Sequence, residues 1–161
     1  MWNTKKNDAT AVSISPQPEQ EPHLNILIVD NDEMIRIFFR DVFWIHGRDG
    51  RYSVEAVETL AEAEKIIRDP EKRPDMVFLD LMPATAFYNK TAKSSEIDGA
   101  FEFIRKFKAD PNFAKMKIVI FSGHRDQDMK EKALALGVDG YLVKGDLMPK
   151  EIIDFVEKMD K

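Results

Sequence analysis

Four short apolar runs in this chain each stop at residues able to do chemistry. LNILIV is followed by Asp30, Asn31 and Asp32, MVFL by Asp80, IVIF by Ser122 and Gly123, and YLV by Lys144. Carboxylates gathered in one place repel one another until a hard cation binds. Magnesium suits such a place, because it takes one or two carboxylates and completes its shell with water and phosphate oxygens. A hydroxyl and an ammonium beside them would add partners for an anion. All of this requires that the four run ends meet.

Periodicity brings them together. The runs Leu24–Val29, Met76–Leu79 and Ile118–Phe121 are short and too uniformly apolar to be half-exposed, which predicts buried parallel strands. Tyr52–Val57 and Tyr141–Val143 read as two further strands. Between them, 33–45 sets Met34, Ile37, Phe38, Asp41 and Ile45 at helical spacing, with Gly47 as a stop. Thr59 and Glu62 have the spacing of a capping box, and Pro70 closes the helix that they open. Further helices are predicted over about 99–108, 127–136 and 150–159. Phe38, Phe39, Phe43 and Trp44, like Phe101, Phe103 and Phe107, have the spacing of helices packed on a sheet and are read as core. Five strand-helix units predict an α/β fold, whose ligands bind beyond the carboxyl ends of the strands. Every one of the candidate residues lies at such an end. Residues 84–97 lack a period and are read as an extended loop, and the polar, proline-bearing residues 1–22 as a disordered tail before a domain over 23–161.

Composition narrows the classes of function. With 161 residues, 43% hydrophobic and 33% charged, the chain suits one water-soluble domain. A formal net charge of -5 argues against a general binder of nucleic acid or anionic membrane. The absence of cysteine excludes disulfides, thiolate catalysis and Cys-type zinc sites, and His23, His46 and His124 show no metal-ligand spacing. His46 and His124 are read as surface or edge residues. No run approaches the ~20 apolar residues of a membrane span, and the first residues lack the apolar centre of a signal peptide, so a cytoplasmic protein is expected.

Taken together, ILIVDND, VFLDLMP, IVIFSG and DGYLVKG, in this order, resemble the receiver domains of response regulators in two-component signalling, over about residues 24–160. The resemblance implies a flavodoxin-like, doubly wound five-stranded parallel sheet of order 2-1-3-4-5 with helices on both faces. It implies that Asp80 is the phosphoacceptor and a metal ligand, that Asp30 holds Mg2+ through water, and that the backbone carbonyl of Met82 completes the protein's contacts to the ion. Lys144 would pair with the phosphate. Ser122 and Tyr141 would form the switch that alters an output face over about residues 126–159. The implied partners are a histidine kinase or histidine phosphotransfer protein and a downstream protein target. Homodimerisation is compatible with this picture, and the chain would be a stand-alone signalling module rather than an enzyme.

Three departures from the family pattern stand out. Asn31 replaces a second acidic metal ligand, which predicts weaker Mg2+ binding, with Asp32 as a substitute ligand or Asn31 as a helix cap in competing readings. Pro83 follows Asp80 by three residues instead of the usual four, and Lys144 is followed by Gly145 where the family commonly has proline. Two other functions compete. One is a pseudo-receiver that docks constitutively. The other is a haloacid-dehalogenase-like phosphohydrolase using Asp30, since Asp30-Asn31-Asp32 also has the form Asp-x-Asp; that reading leaves Asp80 unexplained.

Overall fold

The computed structural model describes residues 22–81 and 93–161, the first five of the latter as backbone only. Residues 1–21 of the expected tail and 84–92 of the expected loop therefore lie outside the described residues, as do Met82 and Pro83.

Five parallel strands, β1 (Leu24–Val29), β2 (Tyr52–Val57), β3 (Met76–Leu79), β4 (Lys117–Ser122) and β5 (Gly140–Val143), form one sheet in the order β2-β1-β3-β4-β5. The helices α1 (Glu33–His46), α2 (Leu60–Arg68), α3 (Lys93–Ala109), α4 (Gln127–Ala135) and α5 (Pro149–Asp160) alternate with them. Successive side chains of a strand point to opposite faces. Ile26, Ile28, Phe78 and Phe121 accordingly pack under α1 and α5, while Leu27, Val29, Leu79 and Ile120 pack under α2, α3 and α4. Two buried faces explain why the central strands read as unbroken apolar runs. This is the flavodoxin-like, doubly wound arrangement that the resemblance implies.

Local chemistry fixes the helix ends. Thr59 accepts from the amide of Glu62, and the Glu62 carboxylate accepts from the Thr59 amide, which closes the capping box. Asp32, not Asn31, caps α1: its side chain accepts from the Met34 amide at 2.9 Å.

Two expectations need correction. α3 begins at Lys93, so 93–97 are helical rather than part of an extended loop. The stretch KSSEID contains helix-forming Lys and Glu but one apolar residue, so it carries no period to read. The second correction concerns α1. Phe39, Val42 and Phe43 are its buried residues, whereas Met34, Ile37, Phe38, Trp44 and Ile45 are exposed. Phe38 and Trp44 are thus outside the core, while Phe39 touches Phe78 with ring centroids 4.7 Å apart. Both faces of α1 are apolar, and the sheet with α5 selects the one it covers.

Candidate functional site

Strand register builds the site. Val29 pairs with Leu79, so the next residues, Asp30 and Asp80, leave neighbouring strands side by side at the carboxyl rim. The Asp80 amide remains tied to the Val29 carbonyl at 3.0 Å, and the Asp30 amide to that of Val57 at 3.1 Å. β1 lies between β2 and β3. The connection from β1 runs to β2 on one side and that from β3 to β4 on the other, which opens between β1 and β3 the crevice where open α/β sheets bind ligands. On the other side Ser122 pairs with Val143, and the Lys144 amide donates to the Ser122 carbonyl at 2.8 Å. Lysine 144 is thereby aimed back at the carboxylates.

Its Nζ lies 2.6 Å from Asp30 Oδ2 and 3.2 Å from Asp80 Oδ2. One ammonium thus spans two carboxylates, both largely shielded from water, and their mutual repulsion makes that contact favourable. Asp30 is held further by the Asp32 amide, which donates to Oδ1 at 2.9 Å, and the guanidinium of Arg36 donates to its main-chain carbonyl at 2.6 Å. Arg36 belongs to none of the strand-end motifs; it reaches the rim only because α1 folds back over β1. Asp32 is engaged as the α1 cap, so the substitute-ligand role considered for it is not the one it plays here.

Ser122 is fully buried, and its hydroxyl accepts from the His124 amide at 3.3 Å. The Tyr141 hydroxyl donates to the His124 carbonyl at 3.1 Å. Burial pushes the Tyr141 phenol above its ordinary value, a hydrogen bond with the Ser122 side chain pulls it partly back, and the charges of Asp80 and Asp126 push it up again. Ser122, Tyr141 and Asp80 therefore share one electrostatic neighbourhood. His124 is half-buried rather than at the surface, and its Nε2 is enclosed. Arg125 pairs with Asp146, joining the segments after β4 and β5.

Gly145 sharpens one of the departures. Its φ of +84° lies in the left-handed region, which proline cannot enter and other side chains enter only with strain. Glycine is what this turn after Lys144 requires.

Asp30 Oδ2 is buried and accepts no conventional hydrogen bond among the described residues, facing instead the Lys144 ammonium. Two adjoining carboxylates, Asp30 and Asp80, fit an ion that keeps several waters. Among the described residues no three His, Cys, Asp or Glu side chains form a metal cluster. Met82, whose carbonyl was an expected ligand, lies outside the described residues.

The response regulator receiver domain model matches residues 26–157. A phosphate regulon transcriptional regulatory protein, PhoB, of Pseudomonas aeruginosa is 26% identical over 129 residues, 80% of this chain and 48% of that protein, so the chain spans about half the length of this curated relative. Solved structures with the same fold include a response regulator from Thermotoga maritima (TM-score 0.65, 18% identity, covering 86% of this chain and 98% of that one). A putative response regulator from Chloroflexus aurantiacus is similar (TM-score 0.66, 21% identity, covering 86% and 98%). The Mn2+-bound form of the response regulator Rcp1 also matches (TM-score 0.60, 17% identity, covering 85% and 91%).

Proposed function

The chain belongs to the response regulator receiver family, and from that premise we propose that Asp80 accepts a phosphoryl group from a histidine kinase or histidine phosphotransfer protein. Receiver domains are signalling modules rather than classical enzymes. The observation that carries the reading is the Lys144 ammonium set between the Asp30 and Asp80 carboxylates at the strand-crossing rim.

In the transfer, an Asp80 oxygen attacks the phosphorus of a phosphohistidine as the P–N bond breaks; the imidazole keeps the bonding pair and takes a proton. Lys144, already within 3.2 Å of Asp80, neutralises the oxygens of the incoming group. Asp30, Asp80, Asn31 and the Met82 carbonyl would hold Mg2+, which when bound reduces the repulsion between carboxylate and phosphoryl oxygens. Ser122 then turns its hydroxyl to a phosphoryl oxygen and gives up its bond from the His124 amide. Because Tyr141 is bonded to the same residue's carbonyl, its ring follows the loop. The change reaches the face built from α4, β5 and α5, about 126–159, where a downstream protein docks. The reading places the protein in the cytoplasm, without nucleic-acid or membrane contact of its own; among the described residues no helix is long and apolar enough to cross a membrane.

A second reading, a constitutive docking module, is favoured by the neutral Asn31 together with a lysine that already satisfies both carboxylates. Fluoroberyllate with Mg2+ separates the two. Amide shifts at Ser122, Tyr141 and along α4 and α5, absent in Asp80→Ala, support phosphorylation; an unchanged spectrum supports the docking module.

A further inference from the structure

β2 ends the sheet, and among the described residues no strand pairs with its outer edge. It runs for six residues, YSVEAV, without a proline, glycine or lysine to blunt that edge. The Leu24 amide bonds the Arg51 carbonyl and the Asp30 amide that of Val57, so alternate residues from Arg51 to Val57 turn their backbone groups to β1. Tyr52, Val54 and Ala56 turn theirs outward, and the same three carry side chains on the face packed with α1. On that face α1 presents an uncovered flank. Ile37, Arg40, Asp41 and Trp44 lie along it at helical spacing, all exposed, Trp44 by 87%. A groove of about 390 Å³ lies between this flank and Tyr52 and Val54. Edge strand and helix flank thus border the same groove, and one occupant covers both.

The chemistry of both selects a second copy of the chain. A two-fold axis pairs β2 with itself antiparallel, and an axis at Val54 lets every outward-facing residue exchange hydrogen bonds: Val54 with its own copy, Tyr52 with Ala56. Ser53 then lies opposite Glu55, whereas an axis at Glu55 would set carboxylate on carboxylate. The helix points to the same centre independently. The Phe43 ring lies 5.2 Å from that of Tyr52. Tyr52 to Val54 is about 7 Å along the strand at ~3.3 Å per residue, and about four residues back along the returning helix, at ~1.5 Å each, cover about 6 Å. The axis through Val54 therefore passes near Arg40 and Asp41. There Arg40 meets Asp41 of the copy, Asp41 meets Arg40, and on either side Ile37 meets Trp44. Opposite charges oppose at the centre and apolar side chains flank them. With α1 packed over β1 and β2, and strands ~4.8 Å apart, the two α1 axes come to about 10 Å, the spacing of packed helices.

We propose that the chain forms a two-fold dimer through β2, which joins two five-stranded sheets into one and closes the flank of α1 against its copy. The inference goes beyond the signalling reading and does not depend on Asp80 accepting a phosphoryl group.

Sedimentation equilibrium of the full chain over a concentration series reads the dimer directly. The expected result is a species of twice the chain's mass. Arg40→Asp and Asp41→Arg each raise its Kd by about tenfold or more, because each side chain meets its counterpart twice, and the two together restore the original Kd. Val54→Pro removes an outward N–H, leaves the ladder to β1 intact and yields a monomer. The charge reversals, being at exposed positions, test the same contact without touching the sheet. Three results would overturn the proposal: a chain that stays monomeric up to about 1 mM, which would leave the edge to a partner of another kind; a dimer that neither single reversal weakens, which would put the contact on another face; or single reversals that weaken it with no rescue by the pair.

Discussion

Asn31→Asp probes the pocket where its composition is most unusual. As it stands, two carboxylates face one ammonium at 2.6 and 3.2 Å, a formal local charge of -1 before any cation arrives. At an effective dielectric near 20, a unit charge about 4 Å from a cation contributes about 4 kcal/mol per unit of cation charge. Most of this does not survive as net affinity. The amide oxygen already supplies part of the attraction, Asn31 is only half-buried so that water screens it, and a third carboxylate must itself be desolvated. A net gain of about 1.4 to 2.8 kcal/mol remains, which is roughly a 10- to 100-fold tighter Kd for Mg2+. Titration with Mg2+, followed by calorimetry and by the amide signals of Asp30 and Asp80, measures it directly. The same substitution destabilises the metal-free protein, because three clustered carboxylates repel, and Mg2+ restores the loss. Affinities equal within about twofold would refute the reasoning and remove Asn31 from the metal's surroundings.

Other outcomes follow from the same structure. Phe39→Ala, at a fully buried ring in contact with Phe43, Phe78 and Phe121, lowers stability by about 3 to 5 kcal/mol, read from the denaturant midpoint. Gly145→Ala costs about 1 to 2 kcal/mol although a Cβ meets nothing within 4 Å, because the penalty is conformational. The family-typical proline at 145 costs more, which thermal melts of the two variants would rank. Burial, followed by the hydrogen bond to and charge of Glu157, pushes Tyr52 up to about 12. A folded-state value above the unfolded one means stability is held below pH 10.0 and lost as pH climbs toward about 12, so Tyr52→Phe flattens that alkaline slope in denaturation curves.

Much of the fold is visible in the residues, for physical reasons that also explain the failures. β1, β3 and β4 are covered on both faces and so leave uninterrupted apolar runs with abrupt polar ends, which point to Asp30, Asp80 and Ser122 directly. The Thr59–Glu62 box marks α2 because capping is a local interaction, complete within four residues. α1 is different. Apolar residues occupy both of its sides, and no local interaction tells Phe39 from Phe38; the choice is made by distant α5 and the strands beneath. Asp32 and Asn31 both have side chains that suit an N-cap, and the path of the chain after β1 decides between them. Arg36 at the rim and the positive φ of Gly145 are likewise products of tertiary path, and no spacing rule in the sequence encodes either.

The central claim is that Asp80 forms a covalent bond to phosphorus. Incubation of the full chain with a small phosphodonor and Mg2+, followed at once by intact-mass measurement, tests it most directly. The account predicts a single adduct of about 80 Da that is absent from Asp80→Ala and present in Ser122→Ala. No adduct on the unaltered chain, or one that persists in Asp80→Ala, would contradict it.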